Sequence, residues 1–136
     1  MTDRTRRSQG MNWIRSARRL AIYVRDGFRC VWCGIACRSD HLGLRGKLEA
    51  RLTLDHVKPY SRGGSNRPDN LVTCCLQCNI TRGDQPMARF ARSRLSPNVM
   101  ARVRRSRFRR IDVPAAREML TRSGGFVAAC LDFYAR

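Results

Sequence analysis

LTLDHVKPYSRGGSNRPDNLVTCCLQCNITRGD, from Leu52 to Asp84, is the stretch on which the reading of this chain turns. Leu48, Ala50, Leu52 and Leu54 alternate with Lys47, Glu49, Arg51 and Thr53, the period-2 pattern of a half-buried strand that ends at Asp55-His56. Strict alternation sends neighbouring side chains to opposite faces, so delivering Asp55 and His56 to one place requires the pleat to break there. Pro59, Ser61, Gly63 and Gly64 suit such a break and a loop running to about Arg67. Asn70-Leu-Val-Thr then reads as a short second strand. A helix is expected from Cys75, because neither proline nor glycine interrupts the chain until Gly83. On that helix Cys75, Cys78, Asn79 and Arg82 share one face.

Upstream, Cys30-Val-Trp-Cys33-Gly supplies a second C-x-x-C. Two such pairs make a four-thiolate tetrahedral zinc site of the closed, structural kind, from Cys30, Cys33, Cys75 and Cys78. Seven cysteines raise disulfides as the alternative, but the odd count, the paired spacing and the lack of an apolar export segment favour reduced thiols on zinc. Cys37-x-x-x-His41 is another metal-like spacing, set aside because two complete pairs exist elsewhere; Cys74 and Cys130 read as buried thiols.

Taken in order, R-D-G-F-R-C-V-W-C-G, L-D-H-V-x-P-x-S-R-G-G, D-N-L-V-T-C and C-x-x-C-N resemble the ββα-metal module of HNH endonucleases, in the subgroup stapled by two C-x-x-C pairs. The resemblance spans roughly Arg18 to Asp84. It departs from the family pattern at Arg82, where lysine is usual, at Cys74, where alanine is frequent, and in a longer segment between the cysteine pairs. It implies an α+β fold, a ββα-metal HNH module with a structural four-cysteine zinc site, an N-terminal helix and a C-terminal helical extension. It also implies a metal-dependent endonuclease that hydrolyses phosphodiester bonds in DNA. In that pattern His56 is the general base, suited by an ordinary imidazole pKa of about 6.5. Asp55 and the side-chain oxygen of Asn79 hold a catalytic divalent cation, Mg²⁺ first or Mn²⁺ second, since oxygen ligands favour hard ions. Asn70 ties down the loop and helps to orient the histidine. Arg82, one turn beyond Asn79, and Arg62 are expected to contact phosphate.

Composition agrees in kind. The formal charge is +18, from 28 basic and 10 acidic residues, and Lys47 and Lys58 are the only lysines, so the excess is arginine. Arginine's planar fork matches phosphate, and a surface of this charge suits a polyanion, duplex DNA foremost. No run approaches the length of a membrane-spanning helix, and a soluble, cytoplasmic setting is expected. The competing readings are a non-catalytic zinc-stapled nucleic-acid-binding protein and an RNA-directed nuclease. An aspartate-histidine pair followed by two asparagines argues against pure binding.

The flanks divide the chain into a basic mobile arm (1–10), the nuclease module with its knuckles (11–85) and an arginine-rich helical extension (86–136). Apolar residues at helical spacing predict a helix over 11–24, with Asn12 as its cap, Asp26-Gly27 as its stop and Trp13 in its core stripe rather than stacked on a base. Residues 42–54 read as a hairpin turning near Gly46. Nine arginines and no acidic residue lie between Pro86 and Ile111. Helices are expected there over 86–94 and 97–109, with Arg89, Arg102, Arg104 and Arg105 along a phosphate backbone; a solvated face and a membrane-surface helix are the alternatives. Val99, Met100 and Val103 form that helix's apolar seam. Asp112 should cap a helix to Thr121, Gly124-Gly125 should break it, and Phe126, Val127, Cys130, Leu131 and Tyr134 of a last helix should pack on the module.

Overall fold

The computed structural model describes residues 13–37, 51–93 and 98–134. The basic arm, the turn of the expected hairpin, His41, the Asn12 cap and Ser96-Pro97 lie outside the described residues. The fold is α+β. Helix α1 (Ser16–Arg25) precedes strand β1 (Leu52–His56), 3-10 turns at Tyr60–Arg62 and Pro68–Asn70, strand β2 (Leu71–Cys75) and helix α2 (Leu76–Arg82). The extension follows as α3 (Met87–Arg92), α4 (Val99–Arg107), α5 (Val113–Ser123) and α6 (Phe126–Tyr134).

β1 and β2 pair antiparallel, with Leu52 opposite Cys75 and His56 opposite Leu71. Pairing is regular through Asp55 and His56, so the expected break in the pleat does not occur. The register holds Asp55 against Val72 and His56 against Leu71, so the neighbouring Asp55 and His56 side chains take opposite faces of the ribbon. α2 lies on the face of Thr53 and Asp55. Leu52 and Leu54 are buried on the other.

A buried ion pair anchors α1 to this ribbon. Arg25 meets the Asp26 carboxylate at 2.7 Å and also donates to the Pro68 and Leu71 carbonyls, while Asp26 accepts from the Thr73 backbone N–H at 2.9 Å. Every charge-assisted donor here finds an acceptor, which is what makes burying such a pair tolerable. The R-D-G run therefore builds the scaffold: Asp26 caps α1 and Gly27 turns the chain at φ 67°. α1 starts at Ser16, later than expected, leaving Trp13 and Ile14 ahead of it and packed on the core.

The extension wraps the module. α4 lays Val99 and Val103, both buried, beside β2. α5 is capped by Asp112, which accepts from the Ala115 N–H at 3.0 Å, and it packs on α1. α6 turns inward Phe126, Ala129, Cys130 and Phe133, with the Phe133 ring 4.4 Å from that of Phe28. Val127 and Leu131, expected on the inner face, are exposed instead, because their positions fall on the opposite side of the helix.

Candidate active site and metal centre

The two C-x-x-C pairs converge. The knuckle around Cys30 and Cys33 is closed by the Cys30 N–H donating to Ile35 O and the Gly34 N–H donating to Cys30 O. It docks on β2 through the Val31 N–H and Thr73 O at 3.0 Å. Cys75 ends β2 and caps α2, its sulfur accepting from the Cys78 N–H. The sulfurs of Cys30, Cys33, Cys75 and Cys78 all lie within 4.8 Å of one another, and those of Cys33 and Cys75 are 3.9 Å apart. A tetrahedron with zinc–sulfur bonds of about 2.3 Å has edges of about 3.8 Å, so the cluster fits a zinc ion. A disulfide needs about 2.05 Å. Hydrogen bonds from Cys33, Cys74, Cys75 and Cys78 hold the Cys30 thiol far below the ordinary thiol range, and hydrogen bonding to Cys30 pushes Cys75 and Cys78 up. Thiols so crowded cannot all ionise without a cation between them. Cys37, Cys74 and Cys130 are buried outside the cluster.

The end of β1 carries Asp55 and His56. Asp55 is 7% exposed, and its Oδ2 accepts from Trp32 Nε1 at 2.9 Å and from Arg82 Nη1 at 2.7 Å. Burial raises the Asp55 carboxyl above the ordinary carboxylate range, opposed by the charge and hydrogen bonds of Arg82 and then of Trp32. Asn79 donates Nδ2 to Thr53 Oγ1 and Leu54 O, both at 3.0 Å, so its amide lies over the same strand face as Asp55. A carboxylate and an amide oxygen on one face suit a hard divalent cation.

His56 occupies the other side of the ribbon. Its Nε2 is 2.7 Å from Asn66 Oδ1, and its ring lies against those of Trp13 and Tyr60. Asn70 is buried and ties the loop shut: Oδ1 accepts from the Lys58 N–H, while Nδ2 donates to the carbonyls of Lys58 and Ser65.

Arg82 corrects an expectation. It is 1% exposed and donates to Asp55, to the backbone oxygens of His56 and Val57, and to Gln85 O, over the Trp32 ring. With its fork directed inward it braces the end of β1 and does not face a phosphate. Arg102 is likewise directed inward, donating to Val31 O and Trp32 O on the back of the knuckle. Arg62 is exposed, with Nε on Asp84 O; Arg89, Arg104 and Arg105 are exposed.

Residues 30–85 match the family model described as HNH endonuclease. This stretch is similar to an HNH endonuclease module. No curated protein and no solved structure matches the chain. Around the HNH residues the fold adds three side chains that the sequence did not single out: Trp32 on Asp55, and Asn66 and Tyr60 on His56. Trp32 carried a signal in standing between two cysteines; Asn66 and Tyr60, in an irregular loop, carried none. Among the described residues no helix is long and apolar enough to cross a membrane.

Proposed function

We propose that the chain is a metal-dependent endonuclease that hydrolyses phosphodiester bonds in DNA, with zinc on the four cysteines as a structural staple. The observation that carries the reading is the placement of Asp55 and Asn79 on one strand face, with His56 at the same strand end but on the opposite face, inside a stretch that matches the HNH endonuclease model. His56 accepts the proton of the attacking water. Asp55 and Asn79 hold a divalent cation, Mg²⁺ or Mn²⁺, which when bound offsets charge on the phosphate and leaving oxygen. Trp32 fixes the Asp55 carboxylate from the knuckle side, and Asn70 fixes the loop that carries the chain away from His56. Exposed Arg62, Arg89, Arg104 and Arg105, with Lys58, supply the phosphate contacts, and the partner is duplex DNA.

A non-catalytic, zinc-stapled nucleic-acid-binding protein is favoured by one observation, the Arg82 guanidinium that already balances Asp55 at 2.7 Å. Plasmid cleavage with Mg²⁺, Mn²⁺ or EDTA, run beside His56→Ala, separates the two. The nuclease reading expects metal-dependent cleavage that falls about a hundredfold or more in His56→Ala while DNA affinity and zinc content hold. DNA binding without cleavage on duplex or single strands would leave only the binding reading.

A further inference from the structure

His56 is held by side chains from two segments, Trp13 ahead of α1 and Tyr60 and Asn66 in the loop between β1 and β2. Asn66 Oδ1 lies 2.7 Å from Nε2, the Trp13 ring centroid lies 5.0 Å away at 31°, and Tyr60 meets the imidazole edge-on at 5.7 Å. A carbonyl oxygen only accepts, so Nε2 carries the hydrogen, and a neutral imidazole then has its basic lone pair on Nδ1. Asn66 is itself fixed. Arg18 of α1 donates to its backbone oxygen at 3.3 Å, and the buried Asn70 amide holds the preceding residue through Ser65 O at 2.8 Å. The Asn66–His56 hydrogen bond is exposed to solvent, where such a bond adds little to stability, so its consequence is orientation.

We propose that Asn66 is a positioning residue for DNA cleavage, fixing His56 in the Nε2–H tautomer so that Nδ1 is the nitrogen that accepts the water's proton. The proposal rests on the reading of His56 as general base. The neutral imidazole has two tautomers of similar energy, and only one puts the lone pair on a given nitrogen. With its amide oxygen rather than its Nδ2 facing Nε2, Asn66 therefore favours the reactive form before substrate arrives, while the two aromatic rings limit the tilt of the imidazole.

The test uses the full zinc-loaded chain labelled with ¹⁵N, at a pH where imidazoles are neutral. Long-range ¹H–¹⁵N spectra report the tautomer of each histidine, and the chain has two, so a His56→Ala spectrum assigns the signals. Wild type should show His56 as Nε2–H. Asn66→Ala should show mixed tautomers, and Asn66→Asp, whose carboxylate only accepts, should restore the wild-type pattern. In plasmid cleavage Asn66→Ala should lower kcat about ten- to a hundredfold with KM within about twofold. An unchanged tautomer in Asn66→Ala, or a changed tautomer with wild-type kcat, would overturn the proposal alone. His56→Ala cleaving as fast as wild type would instead remove the general-base reading, and the proposal with it.

Discussion

Arg102→Gln should weaken the fold and leave the salt dependence of DNA binding unchanged, whereas Arg104→Gln combined with Arg105→Gln should do the reverse. The three residues are near neighbours in one basic run, but Arg102 Nε donates to Val31 O at 2.7 Å and its Nη2 to Trp32 O at 3.0 Å. Those bonds clasp α4 to the zinc knuckle. Charge-assisted hydrogen bonds contribute about 1.5–3 kcal/mol each when buried; with Arg102 half-exposed, a combined loss of about 1–3 kcal/mol is expected. In a domain of this size that lowers Tm by roughly 3–10 °C. Arg104 and Arg105 are exposed. If each neutralises one phosphate at about 0.9 in the slope of log K against log salt, removing both flattens the slope by up to about 1.8. Thermal unfolding of the zinc-loaded proteins and anisotropy titrations of a duplex at several salt concentrations give both quantities. An Arg102→Gln protein with wild-type Tm and a slope flattened by about 0.9 would refute the assignment.

Three further outcomes follow from the geometry. Cys33→Ser should lose the metal and unfold, because structural zinc contributes on the order of 10 kcal/mol, comparable to the whole stability of a small domain; elemental analysis beside circular dichroism checks it, and a folded, zinc-free protein would contradict it. Gly64→Ala should destabilise by about 2–4 kcal/mol, since a Cβ there would sit 1.8 Å from Lys58 O and 2.9 Å from Asn70 Nδ2; a Tm equal to wild type would show that the loop simply shifts. Burial, partly offset by Arg19, pushes the Tyr23 phenol up to about 12. A raised phenol contributes stability that is complete below its unfolded value of about 10 and lost as pH rises through the folded one. Wild type should therefore lose about 2–3 kcal/mol relative to Tyr23→Phe between about pH 10 and 12, read from denaturant midpoints, and parallel curves would exclude it.

What the sequence made legible were the features written in local chemistry. The C-x-x-C pairs carry their own ligand spacing, Asp112 announces a helix start, and Gly27 and Gly124 adopt the positive φ that ends helices. Charge was less informative, since net charge identifies a class of partner without saying which way an arginine points. Arg25, Arg82, Arg102, Arg107 and Arg109 each donate to a backbone carbonyl inside the fold, a use that only tertiary structure reveals. The inner face of α6 was misread for a related reason. Phe126 and Val127 are both apolar, so the helix lacks a polar stripe to mark which side meets the core. The aspartate-histidine pair was found by motif, but its geometry was not: an unbroken strand places the two on opposite faces, and the shell that orients each comes from residues distant in sequence.

The same elements build the staple and the candidate site, so the two are mechanically one unit. Trp32 stands between Cys30 and Cys33 and donates to the Asp55 carboxylate from the knuckle side. On the opposite flank Cys75 caps α2 and Cys78 precedes Asn79, while Arg82 at the end of that helix closes on the same carboxylate. A metal joining the four sulfurs thereby fixes two arms that meet at Asp55, one from the knuckle and one from the helix. A small chain can hold a buried carboxylate only if its donors stay in place, because an acid without them is raised further by burial and protonates. A metal on the four sulfurs would therefore do more than add stability to a modest core: it would keep Asp55 among partners that favour its charged form.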